Sequence, residues 1–147
     1  MRHVLALVQE LAVFEKEPDA VVLRVEDLEK DGFGPEKLFH CFVAEAEAGI
    51  VGMALIYPRY STWKGPAIHL EDLIVTESVR GSGVGSALFE AVIRYGHELG
   101  VRRISWEVLD WNEPAISFYE SKGARVLRDW DVVQLDEAGI RQFINSL

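Results

Sequence analysis

Two acidic residues stand inside an apolar run. From Ala67 to Thr76 the chain is rich in Ile, Leu and Val, and Glu71 and Asp72 fall in its middle. A carboxylate in such a run is costly unless it is partnered or used. Strand alternation predicts that the two project to opposite faces, so one at most faces a given cleft. Glu71 is then either a residue of a solvated sheet face or a working proton acceptor. Downstream lies Arg80-Gly81-Ser82-Gly83-Val84-Gly85-Ser86, between that run and an amphipathic segment. Its alternate glycines let the backbone turn sharply and present successive N–H groups outward, and a helix starting behind them adds the positive end of its dipole. That is the chemistry of a phosphate site. No Lys follows Gly85, as a Walker loop requires, and position 86 carries no glycine, as the dinucleotide fingerprint requires. ATP or GTP hydrolysis and dinucleotide binding are both disfavoured.

These residues need elements to hold them. Val4, Leu7, Val8 and Leu11 share one stripe of a first helix that Pro18 closes. Leu23 to Lys30 predicts a short charged helix ended by Gly32 and Gly34. The period then changes to that of strands: Phe39 to Ala44, a turn from Glu45 to Gly49, a returning arm from Ile50 to Tyr57, and Ala67 to Thr76. Leu88, Val92, Tyr95 and Leu99 recur at helical spacing over Ser86 to Leu99, with Gly100 as the stop. Arg103 to Leu109 reads as extended. Asn112-Glu113-Pro114 starts a helix from Ala115 to Lys122, where a capping role for Asn112 is the default. Strands near Ala124 to Leu127 and Trp130 to Leu135 precede a last helix capped by Asp136. The order implies an α/β or α+β fold: one domain over residues 1–147, with a mixed, mostly antiparallel sheet flanked by helices.

Composition bounds the function. The 147 residues, 49% of them apolar, suffice for one core, and 15 Lys and Arg against 24 Asp and Glu leave a net charge of −9. That balance disfavours nucleic acid and suits a cationic ligand. No apolar run approaches the roughly 20 residues of a membrane span, and Gln9 and Glu10 interrupt the apolar start before a signal sequence could form. A soluble cytoplasmic domain is expected. Cys41 is read as a small buried hydrophobe, His69 as a strand residue and His97 as a solvated helix residue.

The loop from Arg80, with its spacing of Arg, two residues, Gly, one residue, Gly, resembles the pyrophosphate loop of GNAT acetyltransferases. Further segments resemble the spermidine/spermine and thialysine branch of that superfamily: Asp31-Gly32-Phe33-Gly34, Phe39 to Glu45, Leu70-Glu71-Asp72-Leu73, and Trp111-Asn112-Glu113-Pro114 running on to Phe118-Tyr119. The resemblance covers about Leu7 to the final helix. It implies acetyl-CoA as co-substrate, no metal, a small cationic amine as acceptor (a diamine, polyamine or thialysine-like amino acid) and a homodimer. Acetyl transfer to such an amine requires removing a proton from an ammonium of pKa about 10 and protonating a thiolate whose thiol lies near 8.5. The resemblance gives the first task to Glu71, also a substrate ligand, and the second to Tyr119. It places coenzyme on Arg80 to Ser86 (Gly81, Ser82, Gly83, Val84 and Gly85 between them), on the backbone of Leu73, Ile74 and Val75, and along Asn112, Glu113, Pro114 and Tyr119. Phe14, Glu15, Trp106 and Glu107 match positions that hold the amine, where carboxylates beside an aromatic wall suit a cation. Asp72 is read as structural, and transfer as direct, without an acetyl-cysteine.

The chain departs from the family at two places. The first helix begins almost at Met1, where the family has a strand before it. After Tyr119 come Glu120, Ser121 and only Lys122, where family members carry several cations, so the expectation is either a weaker hold on the coenzyme or one supplied by Arg80 and Arg102. Competing readings are a GNAT enzyme for an aminoglycoside or a protein N-terminus, a non-catalytic acyl-CoA sensor, and, well behind, a nucleotide-binding module.

Overall fold

The computed structural model describes residues 1–47 and 49–147. The chain forms two compact units, Met1–Glu107 and Val108–Leu147.

The first unit opens with helix α1 (Arg2–Phe14) and helix α2 (Val25–Phe33). Val4 and Leu7 of the predicted stripe are buried, packing with Leu28 of α2. The α2 helix starts where Asp27 accepts hydrogen bonds from the Arg24 amide and guanidinium, and it passes Gly32 before ending at Gly34. Strands β1 (His40–Ala46), β2 (Gly49–Ser61), β3 (Gly65–Val75) and β4 (Ile104–Ser105) form one sheet in that order. The first two pairings are antiparallel and the third parallel, so the sheet is mixed and mostly antiparallel, as expected. The turn predicted over Glu45–Gly49 contains Ala48, which lies outside the described residues. Of the predicted extended run Arg103 to Leu109, only Ile104 and Ser105 join the sheet.

Helix α3 (Val84–Glu98) follows β3 through a single 3-10 turn, Glu77–Val79, and the glycine loop. The two faces of the sheet are covered by different helices. Met53 and Ile74 are buried against α1, with Cys41 beside them, whereas His40 and Phe42 pack on Tyr95 of α3. Gly52 lets α3 close on β2: a Cβ there would come within 3.1 Å of Leu88 and 3.0 Å of the Ile74 carbonyl. Burying Met53, Ile56, Leu70 and Val92 almost completely supplies the main apolar stabilisation, at about 2 kcal/mol per side chain.

The second unit contains helix α4 (Glu113–Ser121) and helix α5 (Glu137–Asn145). Asn112 and Asp136 cap them as read, the Asn112 Oδ1 accepting from the Ala115 amide and Asp136 Oδ1 from that of Gly139. The strands expected near Ala124 to Leu127 and Trp130 to Leu135 do not form: both segments are irregular. Their β-branched and aromatic residues favour a strand, but a strand exists only with a ladder partner, and Trp130, Val132, Val133 and Leu135 are instead exposed.

Candidate active site

The two carboxylates of β3 do not obey simple alternation. Leu55 of β2 pairs with Asp72 and the next residue, Ile56, pairs with Leu70, so Glu71 is an extra residue with no partner opposite it. This is a β-bulge. Along β2, Leu55 and Tyr57 share a face, and Tyr57 pairs with His69. Asp72 therefore lies on the same face as His69, which approaches Glu71, its Nε2 3.6 Å from Glu71 Oε2. The expectation that the pair splits between faces is overturned, because the inserted residue breaks the two-residue period.

Burial separates the pair. Asp72 is largely enclosed, and burial first, then the charges of Glu71 and Glu15, pushes its carboxyl up to about 6. The Glu71 side chain is 51% exposed, open to an incoming cation. Around it stand Glu107 and His69, together with two groups that the sequence does not single out, Tyr57 and Arg59. The Tyr57 phenol is held up by burial first, then by the charge of Glu71 and a hydrogen bond to it, with Glu107 adding to the same effect. Glu107 thus lies close enough to be felt at the Tyr57 hydroxyl. The Tyr57 and His69 rings lie 5.1 Å apart. Arg59 Nη1 lies 3.4 Å from His69 Nδ1. A guanidinium only donates, so His69 Nδ1 accepts, and in the neutral ring the proton sits on Nε2, facing Glu71. His69 is a strand residue as read, but one that ties Arg59 to Glu71.

The end of α1 borders this face. Burial raises the Glu15 carboxyl, and its charge reaches Asp72. Glu10, one of the residues that interrupt the apolar start, accepts from the Thr76 hydroxyl and the Glu77 amide, each at 2.8 Å, and lies 3.6 Å from Arg80 Nη2. Arg80 itself donates Nε–H to the Val75 carbonyl at 2.9 Å, with its guanidinium 5.4 Å from the Phe14 ring centre. This set buckles the start of the glycine loop to α1.

Within the loop, Gly81 and Gly83 have φ of +79° and +92°, and no side chain caps α3. The amides of Val84, Gly85 and Ser86 are first-turn donors that a helix cannot satisfy internally, so they are available to an anion. A Cβ at Gly81 or Gly83 would meet nothing within 4 Å, so glycine is demanded there by backbone conformation rather than by space. Beyond His69, β3 has no sheet partner on its β4 side among the described residues: pairing with β4 stops at Ile68 and His69, and the edge of Leu73, Ile74 and Val75 is left to other donors and acceptors. Trp106 packs edge-on against Phe89 of α3, with ring centres 5.5 Å apart.

In the second unit, Asn112 to Pro114 build the start of α4, with Pro in its first turn. Tyr119 is buried on that helix beside Phe118, and burial pushes its phenol up to about 12. Lys122 lies 5.5 Å from the Phe118 ring centre. Burial, with the charge of Asp72, also pushes the Cys41 thiol up to about 11, which leaves it almost entirely protonated at neutral pH.

The sequence of the Acetyltransferase (GNAT) family matches residues 5–124. The chain belongs to that family and is an N-acetyltransferase. Among its relatives, the thialysine N-epsilon-acetyltransferase of Bos taurus is 36% identical over 151 aligned residues, covering 95% of this chain and 89% of the relative. The protein of the same name from Caenorhabditis elegans is 34% identical, covering 98% and 91%. An aminoglycoside N-acetyltransferase solved in complex with CoA shares the fold, with a TM-score of 0.70 at 21% identity, over 90% of this chain and 86% of that one. No described helix is long and apolar enough to cross a membrane.

Proposed function

We propose that the protein transfers the acetyl group of acetyl-CoA directly to a primary amine of a small cationic substrate, a diamine, polyamine or thialysine-like amino acid. The observation that carries this reading is Glu71: a half-exposed carboxylate on a bulge, ringed by Tyr57, His69 and Glu107. An ammonium approaching it meets a negative site with lone pairs to spare. Glu71 takes the proton directly or through one water, and the freed amine attacks the thioester carbonyl. Edge amides of Leu73 to Val75 polarise that carbonyl, as preorganised backbone donors do at an oxyanion. As the C–S bond breaks, the Tyr119 hydroxyl gives its proton to the leaving thiolate. Its raised pKa keeps the phenol protonated at neutral pH and makes it a weaker acid than in water, so the transfer depends on the thiolate forming directly against the hydroxyl.

The uncapped α3 start and the left-handed glycines support a coenzyme pyrophosphate at residues Arg80 to Ser86. Because the Arg80 guanidinium already serves Val75, Glu10 and Phe14, the loop amides carry most of that contact. Asn112, Glu113 and Pro114 line the rest of the coenzyme. Phe14, Glu15, Trp106 and Glu107 hold the amine, a role supported by the carboxyls around Glu71. Residues 1–147 act as one catalytic domain, in a cytoplasmic homodimer.

Free-thiol release from acetyl-CoA, measured across spermidine, putrescine, lysine and thialysine, tests the reaction. Amine-dependent release is expected, and Glu71→Gln lowers kcat/KM by about 10²- to 10³-fold while coenzyme binding persists. Release that is equal in the variant removes Glu71 from the chemistry. No release with any amine overturns the proposal.

A further inference from the structure

Glu71 carries a negative charge at one end of a line of side chains whose other end is positive. On β2 and β3 the pairing past the bulge is regular, with Tyr57 opposite His69 and Arg59 opposite Ala67. Tyr57, His69 and Arg59 therefore share the face on which Glu71 lies. Arg59 and Glu71 flank the buried His69 ring, one against Nδ1 at 3.4 Å and the other against Nε2 at 3.6 Å. A buried imidazole in a central strand is a stiff spacer.

The guanidinium of Arg59 has no carboxylate within 4.0 Å among the described residues, a state it shares with Arg2, Arg102, Arg103, Arg125 and Arg128; what sets it apart is its contact with His69 beside Glu71. Its contact with His69 uses one nitrogen and the residue is exposed, which leaves further donors of a group suited to carboxylates. We propose that Arg59 docks a carboxylate of the acceptor, making the preferred substrate an ω-amino acid whose terminal amine reaches Glu71, in preference to a diamine or polyamine. The inference rests on the role of Glu71 proposed above.

The span agrees. One imidazole and contacts of 3.4 and 3.6 Å separate the charges, a span on the scale of an extended ornithine or lysine from its terminal amine to its carboxylate. Charge adds discrimination. A protein of net charge −9 attracts cations of every kind, so a local positive group beside the acceptor carboxylate rejects the second ammonium of a diamine while pairing with a carboxylate.

Matched pairs test this: lysine against cadaverine, and ornithine against putrescine, each compared as kcat/KM in the unchanged protein, Arg59→Gln and Arg59→Lys. The unchanged protein should favour the carboxylate-bearing member by about tenfold or more, the usual scale of a charge-assisted pair. Arg59→Gln should bring the ratio near unity, chiefly through the KM of the amino acid, and Arg59→Lys should retain part of it. A ratio that Arg59→Gln leaves unchanged overturns the inference. So does an equal loss for both members, which would make Arg59 only a prop for His69. Should no amine be turned over, the reading of Glu71 fails, and calorimetric lysine binding judges Arg59 alone. Binding lost in Arg59→Gln supports the carboxylate site, and binding that is absent or indifferent to the substitution overturns it.

Discussion

Asp72 is a carboxyl whose proton is held by the fold. Its pKa is raised to about 6 from an ordinary value near 3.8, with burial as the leading cause. A raised carboxyl favours the protonated form in the native state, so its contribution to stability is fully present below about pH 4 and is lost as pH climbs through 6. At pH 8 the native state holds an uncompensated buried charge. Asp72→Asn, which keeps the shape and removes the charge, should therefore raise stability at pH 8 by about 2 kcal/mol and change it little at pH 4, measured as urea unfolding free energies at the two pH values. A gain of the same size at both would mean that the charge is not the cause.

At the scale of elements, the glycine loop separates two demands that sequence alone merges. Gly83 and Gly65 both have positive φ, +92° and +87°, and a Cβ at either finds open space. Gly83 sits at the start of α3 and Gly65 at the start of β3. Replacing either with Ala should cost about 1 kcal/mol of stability through backbone strain. Only Gly83→Ala should also weaken CoA binding, as read by calorimetry, since only that loop presents anion-binding amides. Loss of CoA affinity in Gly65→Ala as well would point to global loosening. Much of this framework was legible in the sequence: helical spacing marked α1 and α3, and Asp136 and Asn112 marked the starts of the helices they cap. Two features were not. The bulge depends on which residue of β2 faces which residue of β3, and a single strand's composition does not encode its partner's register. The segments from Ala124 to Leu135 carry strand-forming residues, but propensity does not supply a neighbour. The groups around Glu71 stayed hidden for the first reason, because Tyr57 and Arg59 look like ordinary strand residues until the hairpin pairs them with His69.

For the molecule as a whole, apolar surface is unevenly spent. In the second unit Trp130, Val132, Val133, Leu135, Ile140, Phe143, Ile144 and Leu147 are all exposed, and α5 buries no residue. On α5, Ile140, Phe143 and Ile144 recur at three- and four-residue spacing, which makes one apolar stripe. Surface of this kind marks association, and it supports the homodimer proposed above. Light scattering coupled to size exclusion should give twice the mass of the 16.6 kDa chain, and Phe143→Glu should shift the protein toward the single-chain mass. An unchanged mass in that variant would place the interface elsewhere.

Glu71 is an insertion as well as an acid. Leu70 and Asp72 already face successive residues of β2, so deleting Glu71 outright would let the two halves of β3 join as one uninterrupted ladder without altering any other pairing. The shortened protein should resist denaturant at least as well as its parent while losing most of its turnover, because the residue proposed to take the proton is the one that the sheet, as a sheet, has no use for.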